Sequence, residues 1–155
     1  MEILTLGLQG EIFALPAGIV REILDLAPVA EVPNAPPFVG GLINVRGKVV
    51  PLADLRVRFG MERTPPTADS RIVVVEVDLD GEVTTVGLLA DKVHEVTDVA
   101  EAAVEQTPRL GMRWRPDFVK GIGKRGDDFI IIVDVDRVFS ALATVPAVGS
   151  PAPTA

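Results

Sequence analysis

The stretch that decides the fold is residues 41–54, GLINVRGKVVPLAD, because its pattern returns as residues 121–134, GIGKRGDDFIIIVD. Each copy starts at a glycine, carries an Arg-Gly pair near its middle and ends in an apolar run closed by an aspartate. Asp54 and Asp134 both stand five residues before a phenylalanine. An internal repeat of this kind indicates a duplicated structural unit.

A second, shorter echo lies earlier in each half, where VREI at residues 20–23 returns as VHEV at residues 93–96. The offset in residue number between the two copies differs from the first repeat to the second by an amount that loop insertions explain. Two β-rich segments can also align by chance, because strands use a small set of residue types. We favour duplication, which predicts two similar five-stranded barrels that are intertwined in the sequence.

Short segments rich in Val, Ile and Leu, bounded by Gly, Pro or Asp, recur along the chain, which is typical of an all-β protein. Tight turns are expected at Asp80-Gly81, Arg46-Gly47 and Gly126-Asp127, since glycine tolerates a positive φ. Short helices are expected at residues 54–59 and 135–142, each beginning near an aspartate that can cap it. The predicted strands are residues 2–8, 11–15, 20–26, 41–46, 48–54, 70–78, 82–90, 93–97, 118–124 and 129–134.

Composition restricts the partners and the chemistry. Hydrophobic residues make up 48% of the 155 residues, which is enough apolar material for a globular core, and the net charge of −7 disfavours nucleic acid. Cysteine is absent, which excludes a disulfide framework and a thiolate zinc site. The first residues lack the pattern of a signal peptide, and no apolar run is long enough to span a bilayer. We therefore expect a cytoplasmic protein with no direct membrane insertion.

Candidate motifs for chemistry are weak. The glycines of residues 121–126 match G-x-G-x-x-G, but an apolar run typical of a strand follows where a nucleotide-binding loop needs a helix. His94 has carboxylates nearby at Asp91, Glu95 and Asp98, yet strand alternation divides these groups between two faces, so a solvated strand is the better interpretation. We expect no catalytic residues, no cofactor and no metal site. Trp114, within the basic segment 109–116, is expected to pack structurally.

Residues 34–47, NAPPFVGGLINVRG, continuing through Val50-Pro51-Leu52 to residues 54–56, resemble the central signature of the CheW-like chemotaxis coupling proteins. Similar segments follow at residues 87–93 and 118–123. The resemblance implies two SH3-like five-stranded barrels packed around a shared core, with short helices. It covers a domain at residues 1–143 and leaves residues 144–155, a Pro- and Ala-rich tail that we expect to be disordered.

The resemblance also implies a function. Proteins of this kind are non-enzymatic adaptors that join the cytoplasmic tips of chemoreceptors (methyl-accepting chemotaxis proteins) to the regulatory domain of a histidine kinase, within membrane-associated receptor arrays. Receptor helices are expected in the groove between the barrels and kinase contacts at the barrel ends. Two alternatives are that the chain is itself a kinase regulatory domain, or a β-barrel protein that binds a small ligand.

Matching motifs assign a receptor-binding groove. Exposed aliphatic side chains are expected to supply apolar contact area. The charged residues Glu22 and Arg46 are expected to set the register through charge-assisted hydrogen bonds. For Arg46 the alternative is an internal ion pair, for example with Asp54, and for the aliphatic residues it is an ordinary core position. The assigned residues are Val20, Glu22, Gly41, Arg46, Ile72 and Val96.

Overall fold

The computed structural model describes residues 1–31, 33, 39–62, 64–79, 81–99, 118–125 and 128–139. Strands dominate these residues, joined by a 3₁₀ turn at Ala17–Ile19, helix α1 at Leu55–Arg58 and a helical segment at residues 135–139. The strands are β1 Glu2–Leu8, β2 Glu11–Pro16, β3 Val20–Leu24, β4 Val39–Val45, β5 Lys48–Asp54, β6 Arg71–Leu79, β7 Glu82–Ala90, β8 Lys92–Asp98, β9 Val119–Arg125 and β10 Asp128–Val133.

The strands form two five-stranded sheets. Sheet A has the order β8-β1-β2-β10-β9, and sheet B has the order β3-β6-β7-β5-β4. In both sheets the third and fourth strands pair in parallel, while the other neighbours are antiparallel. The two barrels, barrel 1 from sheet A and barrel 2 from sheet B, therefore have the same architecture. Strands β3, β4 and β5 of barrel 2 correspond to β8, β9 and β10 of barrel 1, as the repeat predicts.

Three apolar clusters account for the packing. Barrel 2 is filled by residues such as Ile43, Leu52 and Ile72, and barrel 1 by a smaller set that includes Ile3 and Ile132. The largest cluster takes side chains from both sheets and both short helices, so it forms the core that the barrels share. Successive residues of β6 alternate between the core of barrel 2 and the shared core, because side chains along a strand point to opposite faces. Such strands are apolar on both faces.

The predicted fold class is confirmed, and each predicted strand is present within two residues of its predicted ends. Strand β3 ends two residues earlier than predicted, at Leu24, because the chain then crosses to β4, where Ala30 and Leu42 exchange backbone hydrogen bonds of 2.9 and 2.8 Å. Both helices begin where expected, capped by Asp54 and Asp134, whose carboxylates accept from backbone N–H groups. Residues 140–142 of the second lie outside the described residues, as do Asp80, Gly126 and Asp127 of the predicted turns.

Candidate functional site

The six residues assigned to the receptor groove come from both barrels. Five belong to the elements of sheet B, and only Val96 belongs to sheet A, on β8. They differ widely in exposure, from the fully buried Ile72 to the largely exposed Arg46. The sheet B residues are Val20 and Glu22 on β3, Gly41 on β4, Arg46 in the β4–β5 turn and Ile72 on β6.

Two of the six residues, Glu22 and Arg46, form an ion pair, with Arg46 Nη2 3.2 Å from Glu22 Oε1. The predicted Arg46-Gly47 turn is confirmed, with φ values of 52° and 85° that match a type I′ hairpin. This turn projects Arg46 into solvent, where 81% of its side chain is exposed. The suggested pairing of Arg46 with Asp54 is wrong, because Asp54 binds Arg56 instead.

Val20 and Val96 lie on the faces of their sheets that look toward the shared core. Val20 pairs with Val75 and Val96 pairs with Leu4, and both partners belong to the shared core. Directly paired residues of antiparallel strands point to the same side of a sheet. Val96 is 56% exposed and Val20 is half-buried, so both mark the margin of the core between the barrels.

Ile23 belongs to the same margin, although the sequence analysis did not assign it. It pairs with Val73 of the shared core and is 44% exposed. Val20 and Ile23 share this face although they stand three residues apart, because β3 contains an extra residue, Arg21, between its two paired segments, whereas Glu22 points to the opposite face. Such a bulge cannot be predicted from the sequence of β3 alone, since it is defined by the pairing with the neighbouring strand.

Ile72 is not an exposed contact residue. Its side chain is fully buried inside barrel 2, so the prediction that it supplies exposed apolar area is wrong. Ile72 instead occupies an ordinary core position, which was the alternative given for the aliphatic residues of the groove. β6 is a central strand covered on both faces, and only the tertiary arrangement reveals that.

Gly41 is buried and lies against the segment that connects β3 with β4. A Cβ atom at this position would stand 2.5 Å from the Ala30 carbonyl oxygen and 2.5 Å from Val29 Cγ1. Its φ of 150° is also one that L-amino acids rarely adopt. Gly41 therefore allows residues 29 and 30 to close barrel 2 against β4.

A buried ionic cluster was missed by the sequence analysis. Arg56 donates to both carboxylate oxygens of Asp54, at 3.0 and 2.9 Å, and to Asp91 Oδ1 at 3.0 Å. The hydrogen bond to Asp54 raises the pKa of the Arg56 guanidinium, which outweighs the opposing effect of burial. Asp91 Oδ2 accepts from the Gln9 backbone N–H at 2.8 Å, so the cluster ties the β1–β2 hairpin of barrel 1 to barrel 2.

An exposed apolar face lies on the β4–β5 hairpin and the segment that precedes β4. We define this apolar face by Val29, Leu42 and Val49, which line an open depression of ≈ 380 Å³. Val29 is 42% exposed and Val49 is 71% exposed. Val49 has a counterpart in the repeat, Phe129 on β10, which is 62% exposed. Solvent-exposed apolar surface of this kind marks sites of protein contact.

The glycine motif and the segment around His94 both lie on strands, as predicted. Strand β10 follows the glycine motif that begins in β9, and Gly123 packs near Val99. A bulge in β8 interrupts the simple alternation assumed around His94. Within the described residues there is no group of three or more His, Asp or Glu placed to hold a metal ion. The segment 109–116 with Trp114 and the tail 144–155 lie outside the described residues. Among the described residues, no helix is long and apolar enough to cross a membrane.

The fold defines a protein of two SH3-like barrels around a shared core, with exposed apolar positions along the seam between them. The chain belongs to the CheW-like domain family, whose model matches residues 2–143. The chemotaxis protein CheW of Rhizobium meliloti is 34% identical over 77% of this chain and 75% of its own length. The CheW of Klebsiella aerogenes is 28% identical over 90% and 82%.

A solved structure agrees with this assignment. The crystal structure of the scaffolding protein TtCheW from Thermoanaerobacter tengcongensis superposes with a TM-score of 0.80 at 35% identity, covering 89% of this chain and 86% of that protein. The resemblance inferred from residues 34–47 is therefore confirmed.

Proposed function

We propose that this chain is a non-enzymatic adaptor that couples chemoreceptor cytoplasmic tips to the regulatory domain of a chemotaxis-type histidine kinase. Membership of the CheW-like family supports the adaptor role, and the name of the structural neighbour describes that protein as a scaffold. We further propose that residues 1–143 form the binding domain, that residues 144–155 are a disordered tail, and that the protein works in the cytoplasm at receptor arrays without a cofactor.

The observation that carries the receptor site is that Val20 and Val96, from different barrels, both face the margin of the shared core. An amphipathic receptor helix needs an apolar strip with polar groups beside it. Val20, Ile23 and Val96 supply apolar surface, and the Glu22–Arg46 pair supplies charge from the other face of the edge strand β3. In this proposal Ile72 and Gly41 shape barrel 2 and do not contact the receptor directly.

The kinase contact is proposed at the apolar face. Val29 and Val49 are the most exposed members of this face, and Val49 belongs to the β4–β5 hairpin of barrel 2. Burying such side chains against a partner stabilises a complex by about 25 cal/mol per Å² of apolar area. The apolar face and the Val20–Val96 margin share no residue, so in this proposal one adaptor holds a receptor and a kinase at once.

A binding experiment with three purified components tests the function. The wild-type chain, a receptor cytoplasmic fragment and a kinase regulatory domain are mixed at moderate salt and resolved by size exclusion. We expect a complex that contains all three. Val96→Glu should weaken receptor binding at least tenfold and leave kinase binding unchanged, whereas Val83→Glu, at a 67% exposed position near the β6–β7 hairpin, should change neither. Failure of the folded wild-type chain to bind either partner would reject the function.

A further inference from the structure

Strand β8 contains one residue more than β1 between two paired segments. Leu4 pairs with Val96 and Leu6 pairs with Val93, so the single residue Thr5 lies opposite two residues of β8. This is a β-bulge, in which the extra residue is left out of the regular ladder of hydrogen bonds. Bulges re-aim side chains, and this one lies directly beside Val96.

The bulge is held by a side chain. Thr5 Oγ1 donates to the Glu95 carbonyl oxygen at 2.9 Å and accepts from the Glu95 backbone N–H at 3.2 Å. Thr5 is only 1% exposed, and it is one of few buried polar residues in the part of the chain that the structure describes. One hydroxyl therefore satisfies both backbone groups of a residue in the bulge.

The extra residue decides which face Val96 occupies. With the bulge, Val93 and Val96 both share the face of Leu6 and Leu4, which belong to the shared core. If the pairing of Val93 with Leu6 continued without a bulge, Val96 would lie opposite Ile3, whose side chain points into barrel 1. A slip of one residue turns a side chain to the other face of a sheet.

We propose that Thr5 is a positioning residue that holds the β8 bulge and thereby presents Val96 to the receptor. The receptor half of this inference rests on the proposed function, whereas the structural half does not. Thr5 touches no partner in the proposal and acts only through the backbone of Glu95. In β3, the corresponding strand of barrel 2, the extra residue is Arg21, whose side chain binds Glu76. The hydrogen bonds of a threonine hydroxyl to a bulge are therefore a feature of barrel 1.

The structural half is tested with Thr5→Val, which keeps the shape of threonine and removes the hydroxyl. We expect the Glu95 amide to exchange with solvent at least about tenfold faster and the cross-strand nuclear Overhauser effects between Leu4 and Val96 to weaken. Thr5→Ser should preserve both, because it keeps the hydroxyl. Thr84→Val, which removes the hydroxyl of a half-exposed threonine on β7, is the matched control and should leave β8 unchanged. If Thr5→Val does not fold, Thr5→Ala is compared with Thr5→Ser for the same readouts.

The receptor half is tested by a double-mutant cycle on receptor affinity. We expect Thr5→Val to weaken binding about tenfold in the wild-type background and to have no further effect in Val96→Ala. An equal loss in both backgrounds would show that Thr5 does not act through Val96 and would overturn the inference. Unchanged pairing of Leu4 with Val96 in folded Thr5→Val would overturn it as well. If the wild-type chain does not bind the receptor, the proposed function and the receptor half fail together, and the exchange and pairing data still decide the structural half.

Discussion

Arg56 binds Asp54 through both carboxylate oxygens at a site where the two side chains are 5% and 7% exposed. Arg56 also reaches Asp91, at the point where the chain passes from sheet B to sheet A. The Arg56–Asp54 pair is therefore buried, and the contact of Arg56 with Asp91 joins it to the other barrel. Its geometry leads to the first prediction.

Replacing Arg56 with methionine should lower the free energy of unfolding by about 3–5 kcal/mol, because it leaves the buried Asp54 carboxylate without its cation. Urea denaturation followed by circular dichroism measures the change. Arg46→Met, at an exposed ion pair, is the control and should cost less than about 1 kcal/mol. Equal losses for the two variants would contradict a structural role specific to Arg56.

Arg46→Glu should weaken receptor binding without unfolding the protein, because it places like charges at the Glu22–Arg46 position and reverses the charge of a largely exposed side chain. Isothermal titration against the receptor fragment measures the affinity, and thermal denaturation checks the fold. The exchanged pair, Glu22→Arg with Arg46→Glu, should recover part of the affinity if the pair itself sets the register. Unfolding of Arg46→Glu would instead assign the pair an internal structural role.

Gly41→Ala should destabilise the fold by at least about 2 kcal/mol, because the new Cβ meets the Ala30 carbonyl at 2.5 Å and the backbone φ is unfavourable for alanine. Thermal and urea denaturation measure the loss. Gly18→Ala is the matched control, since a Cβ there meets no atom within 4 Å. A stable Gly41→Ala variant that has lost only receptor affinity would indicate that Gly41 contacts the receptor directly.

Val49→Asp should reduce affinity for the kinase regulatory domain at least tenfold, because it places a charge in the apolar face. Receptor affinity should stay unchanged, since Val49 lies outside the proposed receptor site. Val83→Asp provides a control of equal chemistry at a comparably exposed position. If Val49→Asp bound the kinase domain as well as Val83→Asp does, the apolar face would not be the kinase site.

The Glu76 carboxylate should titrate below the usual range of glutamate. The hydrogen bond from Arg21 Nη2, at 2.7 Å, lowers the pKa of Glu76, because it favours the charged form. The stabilisation from this pair is present above the ordinary glutamate pKa and is lost as pH falls through the lowered value. Carboxyl NMR titration should show the Glu76 pKa rising in Arg21→Gln. A titration unchanged by that substitution would mean that the pair does not persist in solution.

Part of the candidate site could be predicted from the sequence, because family motifs place residues along the chain. Glu22 and Arg46 were assigned together and form an ion pair, and Val20 and Val96 occupy the margin between the barrels. The exposure of Ile72 was predicted wrongly, since a buried and a half-exposed strand use the same aliphatic residues. Arg56 was not recognised, because its burial with Asp54 and its contact with the distant Asp91 both arise only after folding.

The ten strands and the two short helices of the described residues could be predicted from the sequence. Alternation, turn glycines and capping aspartates act over a few residues, so the strands, the Arg46-Gly47 turn and the capping of α1 by Asp54 could be derived locally. The repeat specified two matching barrels. The direction in which side chains face along β3 and β8 depends on how these strands pair with their neighbours after folding. The bulges in these strands exist relative to β6 and β1, and a shift of one residue in such a pairing turns a side chain from one face of its sheet to the other.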